Sequence, residues 1–237
     1  MQTCETDFMP TFQPQATPYG TTFDALTEQS KLRMETRTTV TIGQVLEWYR
    51  TKDGIVQASA LREIIDSTVQ CNRPIQVEND SYFDALVISE IMFDRANKSI
   101  RLFTGRNCVE FLRALQRSFF NALKRLAHSG GKVQVLMVSN EVPSFFSDLK
   151  SQYPNTLEVA LAKIREGAEV GHFFVCDSQM ARIEQPHPPL TLATPVNAIR
   201  AKIYFNDPVS GRLLDARFGA YWNAASVTEQ RPLKTGE

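Results

Sequence analysis

What this sequence has little of narrows its options first. Its 237 residues carry 26 basic and 26 acidic side chains, a formal net charge of zero, so no excess of either sign draws the chain to nucleic acid or to an anionic membrane. Cysteine is sparse. Cys4, Cys71, Cys108 and Cys176 lie far apart with no C-x-x-C pair, which excludes the usual zinc spacing and a disulfide framework and reads as the reduced thiols of a cytoplasmic protein. Only three histidines occur, His128, His172 and His187. No apolar run approaches the ~20 residues that cross a bilayer, and the N-terminus lacks the basic and apolar regions of a secretory signal. H-E-x-x-H, G-x-S-x-G and G-x-x-x-x-G-K-[ST] are all missing, so zinc protease, serine hydrolase and P-loop readings lose their usual support. No cofactor, no metal site and no membrane association are expected.

What is present is ordinary in amount and informative in order. The 43% hydrophobic content suits a soluble globular chain long enough to bury a core. Residues 1–24, with Pro10, Pro14, Pro18 and Gly20 among Thr and Gln, read as a flexible tail. Residues 25–75 read as an N-terminal helical segment: a weak pattern near Phe23–Thr36, a better one from Thr41 to Arg50 with Ile42, Val45, Leu46 and Tyr49 on one stripe, a turn at Asp53-Gly54, and a helix from an N-cap at Ser59 to about Val69. Such a pair suggests a helix-turn-helix, but neither second helix carries a clustered Arg, Lys, Asn or Gln face, and packing is the preferred role.

Residues 76–228 read as one α/β domain, with 229–237 as a C-terminal tail. After the acidic turn Glu78-Asn-Asp80, Ser81 caps a helix to about Asn97. Ser99–Thr104 reads as a strand, Cys108–His128 as a single long amphipathic helix, and Lys132–Val138 as a central parallel strand, apolar on both faces. A helix near Pro143–Lys150 and a strand at Thr156–Ala162 follow. Gly171–Asp177 and Ser178–Glu184 read as a hairpin turning at Asp177-Ser178-Gln179; on period 2, His172 shares a face with Phe174 and Cys176. A proline-rich loop from Gln185 to Pro195, a strand at Ala198–Phe205 and a helix to about Ala225, with Leu213, Leu214, Phe218 and Trp222 inward, complete the chain. The order predicts an α/β sandwich with a mixed sheet flanked by helices.

Lys98-Ser-Ile-Arg-Leu-Phe-Thr104 before a long helix, Gly130-Gly-Lys-Val-Gln-Val-Leu136, the strand ending at Asp177, and Leu213-Leu-Asp-Ala-Arg-Phe-Gly-Ala-Tyr-Trp222 together resemble one repeat of the phospholipase D superfamily. That family carries H-x-K-x-x-x-x-D, with a histidine nucleophile, a second histidine as general acid and lysines on the phosphate oxygens. Counted back from Asp177, the nucleophile's position holds Val170 and the lysine's holds His172, so the motif is degenerate. The resemblance implies a phospholipase D-like fold, a two-fold homodimer, and a protein that binds rather than turns over its ligand.

The candidate ligand-binding residues are therefore His172, Asp177, Arg182, Lys202 and Asn206, with no catalytic residue unless His172 serves. Arg182 and Glu184, on one face after the turn, read as an internal ion pair, His128 as a helix C-terminal charge, and His187 in Pro-His-Pro-Pro as a loop residue. Three functions remain open. The first is a non-catalytic scaffold acting through a partner protein, self-association or a phosphate-bearing ligand, with the Gln185–Pro195 loop as a partner-binding candidate. The second is a dimeric phosphodiesterase or nuclease using His172 from each subunit. The third is a nucleic-acid-binding regulator using Arg113, Arg117, Lys124 and Arg125.

Overall fold

Among the described residues, seven strands form one mixed sheet in the order β1-β7-β6-β5-β2-β3-β4. The computed structural model describes residues 40–79, 81–105, 108–163, 171–187, 190–196 and 200–229; the tail, the weak helical pattern before Thr36, Cys4 and Val170 lie outside them. The strands are β1 (Ile75–Asn79), β2 (Ser99–Gly105), β3 (Lys132–Val138), β4 (Leu157–Leu161), β5 (Phe173–Cys176), β6 (Met180–Glu184) and β7 (Ala201–Phe205). β2, β3 and β4 run parallel because helices carry the chain back between them, and the remaining pairs are antiparallel. β3 sits between two parallel neighbours with Val133, Val135, Leu136 and Met137 fully buried, as its unbroken apolar run predicts.

Helices cover both faces. The described ones are α1 (Ile42–Tyr49), α2 (Lys52–Val69), α3 (Tyr82–Arg95), α4 (Cys108–Ala114), α5 (Gln116–Ser129), α6 (Ser144–Gln152) and α7 (Pro208–Glu229). α3 buries ten of its residues, on nearly every side. That is the signature of a helix enclosed between layers: Phe93 meets Phe119 of α5 at 5.4 Å and Phe174 of β5 at 5.7 Å, while Phe83 meets Trp48 and Tyr49 of α1 at 4.9 and 5.8 Å. α7 lies on the opposite face, where Leu214 and Phe218 pack with Phe103, Leu136, Phe173 and Val175. Each fully buried phenylalanine contributes roughly 2–3 kcal/mol, so the two aromatic layers carry much of the stability.

Helix starts follow local chemistry. Thr41 and Gln44 form a reciprocal capping box, Thr51 Oγ1 accepts from Gly54 N at 3.1 Å, and Ser81 Oγ accepts from Asp84 N at 3.1 Å. Gly130 closes α5 in the left-handed region at φ 73°.

Several expectations need correction. Asp53-Gly54 is not a turn: α2 starts at Lys52 and runs through it, and the true N-cap is Thr51, while Ser59 donates to Ile55 O inside the helix. Gly54 is required by close approach, since a Cβ there would come within 3.0 Å of the Tyr49 Cα. The acidic turn expected at Glu78-Asn-Asp80 is in part strand: Glu78 and Asn79 end β1, whose partner β7 lies far along the chain. The single helix from Cys108 is two helices broken at Leu115, whose φ and ψ are −93° and 14°. The apolar stripe Leu112, Leu115 and Phe119 stays fully buried across the break. Leu213 points outward at 70% exposure, since the inward stripe runs Leu214, Phe218 and Ala225. Arg62 pairs with Asp94, and Arg95 bonds Asp66 at 2.9 Å, so α2 is held to α3 by charge as well as by packing.

The β5–β6 turn is fixed by its acid. Asp177, at φ 55°, accepts from the backbone N–H groups of Asn97, Lys98 and Ser99, each at 2.8 Å, and so ties the hairpin to the α3–β2 junction. Two of those bonds are at the surface, where water replaces part of what is lost. Asp177→Ala is therefore expected to lower unfolding free energy by about 2 kcal/mol, read as a lower urea midpoint at unchanged slope. An unchanged midpoint contradicts the assignment.

Candidate functional site

The sheet brings its polar side chains together at one end. Asn79, Ala201 and Glu184 stand in one row across β1, β7 and β6, and Glu184 N donates to His172 O at 2.8 Å, which extends the row to the residue before β5. Antiparallel register, not sequence proximity, makes this row. β2 ends beside it at Gly105, where an added Cβ would lie 3.4 Å from His172 Cε1.

Arg182 is 4% exposed and its guanidinium is committed twice, to Glu184 and to Asn79 Oδ1 at 3.1 Å. Its Nε has no partner among the described residues. The second oxygen of Glu184 meets Nε2 of His187 at 2.9 Å. His187, 8% exposed, then stands 5.0 Å ring to ring from His172, whose own Nδ1 is buried and has no partner among the described residues. Asn79 donates in turn to Ser81 O at the cap of α3, and Tyr82, the first residue of that helix, sits edge-on to Phe111 of α4 at 5.7 Å.

The electrostatics follow from burial and pairing. Burial alone pushes the Glu184 carboxyl up, but Arg182 and His187 overcome it and bring its pKa down to about 2. Burial pulls His172 below its ordinary value, opposed by Glu184 and reinforced by His187 and Arg182, so its imidazole is neutral at neutral pH. An ionised carboxylate only accepts, so His187 carries its proton on Nε2 toward Glu184. Burial pushes the Cys108 thiol at the start of α4 up to about 12, which leaves no thiolate there. Arg182 and Glu184 put a cation and an anion in contact at the centre of the cluster.

The sequence-derived candidates are only partly united here. His172 and Arg182 belong to the cluster. Its ring lies 6.3 Å from that of Phe103 and beside Gly105, so His172 stands at the sheet's end, outside β5 and its alternation. Asp177 lies at the other end of β5, about 17 Å away by strand rise, with its carboxylate occupied by three N–H groups. Lys202 is exposed on β7, opposite Glu78 and Ile183. Asn206, at φ 53°, donates to Val69 O at 2.8 Å and Arg73 O at 3.3 Å, fastening the end of α2. Asp177 and Asn206 are thus occupied as fasteners of the backbone.

The basic residues read as one helix face divide as well. Arg113 pairs with Glu110 at 2.7 Å on α4, and Arg125 donates to Ala96 O and Phe93 O at the end of α3. Arg117 and Lys124, both exposed on α5, remain directed to solvent. The described part of the proline-rich loop is seated on α1: Ile42 N donates to Thr194 O and Gly43 N to Leu192 O, at 2.9 and 2.8 Å. Glu184 is expected only as the ion-pair partner of Arg182 and His187 only as a loop residue; their contact with each other is what the sequence does not show. Their i,i+3 spacing was visible, but Pro-His-Pro-Pro reads as loop, and nothing local says that the loop folds back over β6.

Among the described residues, no group of three His, Cys, Asp or Glu side chains is placed to hold a metal ion, and no helix is long and apolar enough to cross a membrane.

No family model matches the chain, and no curated protein sequence matches it. Solved structures are similar to it at low identity. TrmBL2, an archaeal chromatin protein described as showing a novel mode of DNA binding, is 15% identical with a TM-score of 0.48 over 73% of this chain, which spans 63% of that one. Nuc, a phospholipase D family member from Salmonella typhimurium, is 15% identical with a TM-score of 0.48, covering 64% of this chain and 95% of its own. NucT from Helicobacter pylori is 14% identical with a TM-score of 0.47, covering 64% and 97%. The mixed-sheet α/β sandwich expected from the sequence is what the structure has, and phospholipase D family members are among the solved structures similar to it.

Glu184→Gln is expected to cost about 3–5 kcal/mol, because it leaves the Arg182 cation buried without its anion. Thermal melting and urea unfolding both read this. In the wild type, the depressed carboxyl stabilises the fold above its ordinary value of 4.5 and ceases to do so as pH falls toward about 2. Glu184→Gln should flatten that acid limb, and an unchanged limb contradicts the pairing.

Proposed function

We propose that the chain is a non-catalytic phospholipase D-like protein that acts in the cytoplasm by binding, through the end of the sheet where His172 meets His187. Its α/β domain spans residues 76–228 and its N-terminal helical segment residues 25–75. The observation that carries this reading is the Arg182–Glu184 contact. Phosphoryl transfer requires a nucleophile, a general acid and uncompensated positive charge on the transferring group. The buried guanidinium is already neutralised by Glu184 and fixed on Asn79, and the carboxylate itself repels a phosphate. A neutral His172 still donates one hydrogen bond, which suits holding a phosphate-bearing ligand. Self-association as a two-fold homodimer, or capture of a partner protein, belongs to the same reading, as C2 pairs are the commonest assembly.

One observation favours the enzyme as a second reading. Two imidazoles lie 5.0 Å apart with a carboxylate holding one of them, which is a general-base arrangement. This version needs no second subunit to supply the partner of His172. The nucleic-acid reading keeps Arg117 and Lys124, the two cations of α5 still facing solvent.

With bis(4-nitrophenyl) phosphate and EDTA present, hydrolysis is expected at the buffer rate for wild type, His172→Ala and His187→Ala alike. Turnover that drops a hundredfold or more in His187→Ala overturns the binding reading in favour of the enzyme. Sedimentation equilibrium is expected to give twice the 26.8 kDa chain mass; a single-chain mass removes the homodimer.

A further inference from the structure

If the sheet end binds a phosphate-bearing ligand, the cluster inside it lacks a free cation, and α7 supplies one. Gly211 of α7 lies against the backbone of Ser178 at the turn end of the β5–β6 hairpin. Ten residues later, about 15 Å along the helix, Tyr221 meets Phe103 at 5.1 Å and Phe173 at 6.4 Å. That length matches the roughly 17 Å from Asp177 to His172 along β5. α7 therefore spans the strand and delivers its residues from Arg217 to Tyr221 to the His172 end.

Arg217 is built to stay in one place there. Its guanidinium lies over the rings of Phe173 at 5.5 Å and Tyr221 at 5.4 Å, and its Nε donates to the Tyr221 hydroxyl at 3.0 Å. Among the described residues it pairs with no carboxylate, unlike Arg101, which meets Asp215 at 2.8 Å, and Arg182, which meets Glu184. Both Arg217 and Tyr221 reach solvent, the latter at 36% exposure. Phe103 neighbours both Tyr221, at 5.1 Å, and His172, at 6.3 Å ring to ring, and a Cβ at Gly105 would lie 3.4 Å from the imidazole.

We propose that Arg217, laid flat by Phe173 and Tyr221, is the anion anchor of the His172 site and takes the phosphate group of the ligand on its two terminal nitrogens. A planar guanidinium offers paired N–H groups that match two phosphate oxygens, and stacking on aromatic rings orients it before binding. Neutral His172 supplies the further donor. This inference rests on the binding reading and names the residue that gives the site its charge. The shared ligand chemistry is a phosphate group with at least two anionic or terminal oxygens, whether free phosphate or the diester of a nucleic-acid backbone.

The test uses the full chain with two probes, inorganic phosphate by calorimetry and a fluorescein-labelled single-stranded oligodeoxynucleotide by anisotropy. Arg217→Ala is expected to weaken binding about tenfold or more, and Arg217→Lys to recover only part, since an ammonium has no fork. Tyr221→Leu should weaken it severalfold by freeing the guanidinium, and Lys52→Ala, an equal charge loss at an exposed position of α2, should change it less than twofold. With the oligonucleotide, Arg217→Ala should also reduce the salt slope by about one. Unchanged urea midpoints establish that the variants fold. Preference for the oligonucleotide assigns the nucleic-acid source, and equal response assigns free phosphate. The inference falls if Arg217→Ala binds within twofold of wild type, if Lys52→Ala weakens binding as much, or if wild type binds neither probe. Phosphate-induced shifts of the His172 ring signals that persist in Arg217→Ala sink the anchor alone. Turnover of the diester sinks the binding reading; the anchor then stands if Arg217→Ala raises KM about tenfold at unchanged kcat and falls if KM is unchanged.

Discussion

The contact on which this sheet end depends is the buried ion pair of Arg182 and Glu184. Arg182 sits on an interior strand at 4% exposure, where an unpaired guanidinium carries a desolvation penalty of several kcal/mol. Every group around it answers that cost. Glu184 supplies the opposing charge, Asn79 brings the amide oxygen of edge strand β1, and Asn79 itself bonds the backbone at the cap of α3. His187 fills the remaining carboxylate oxygen and thereby draws the loop after β6 over the end of the sheet. Such a pair adds less net stability than an apolar replacement of equal volume. What it specifies is arrangement, because only one register of β1, β7 and β6 brings the partners into one row.

The same commitment limits the chemistry. A cation compensated by a carboxylate at contact distance offers little to a phosphate, and a buried imidazole whose protonated form is disfavoured makes a weak acid at neutral pH. The arginines divide by environment: Arg101, Arg125 and Arg182 are spent on carboxylates or carbonyls, while Arg217, exposed on α7, is spent on aromatic faces that leave its charge available. On the proposed binding reading, charge that reaches a ligand here comes from the covering helix and not from the strands.

The two ends of β5 illustrate how much was legible beforehand. The hairpin turn at Asp177-Ser178 was readable, because both residues tolerate positive φ and the flanking runs are apolar. The use of Asp177 was not, since its three donors belong to a loop some eighty residues earlier. At the other end, alternation predicted that His172 faces the α3 side with Phe174. The strand begins one residue later, and its ring lies beside Phe103 and Gly105. Gly54 misled for a related reason: a glycine demanded by helix-to-helix approach is indistinguishable in sequence from one demanded by a turn. The Arg182–Glu184 pair was legible because two residues on one strand share a face by period alone.

Sequence by itself determined the layers. Helical and strand periodicities are set by local backbone geometry, so the mixed sheet, its central apolar strand β3 and the closing helix α7 could be read without knowing what they touch. Tertiary structure alone decided that His187 meets Glu184 and His172, that β1 joins β7, and that Arg217 reaches the same end of the sheet. Those meetings depend on strand register and on how far a helix travels along a strand, and both are relations between residues distant in the chain. No local pattern encodes them, because the free energy that selects them comes from burying one element against another.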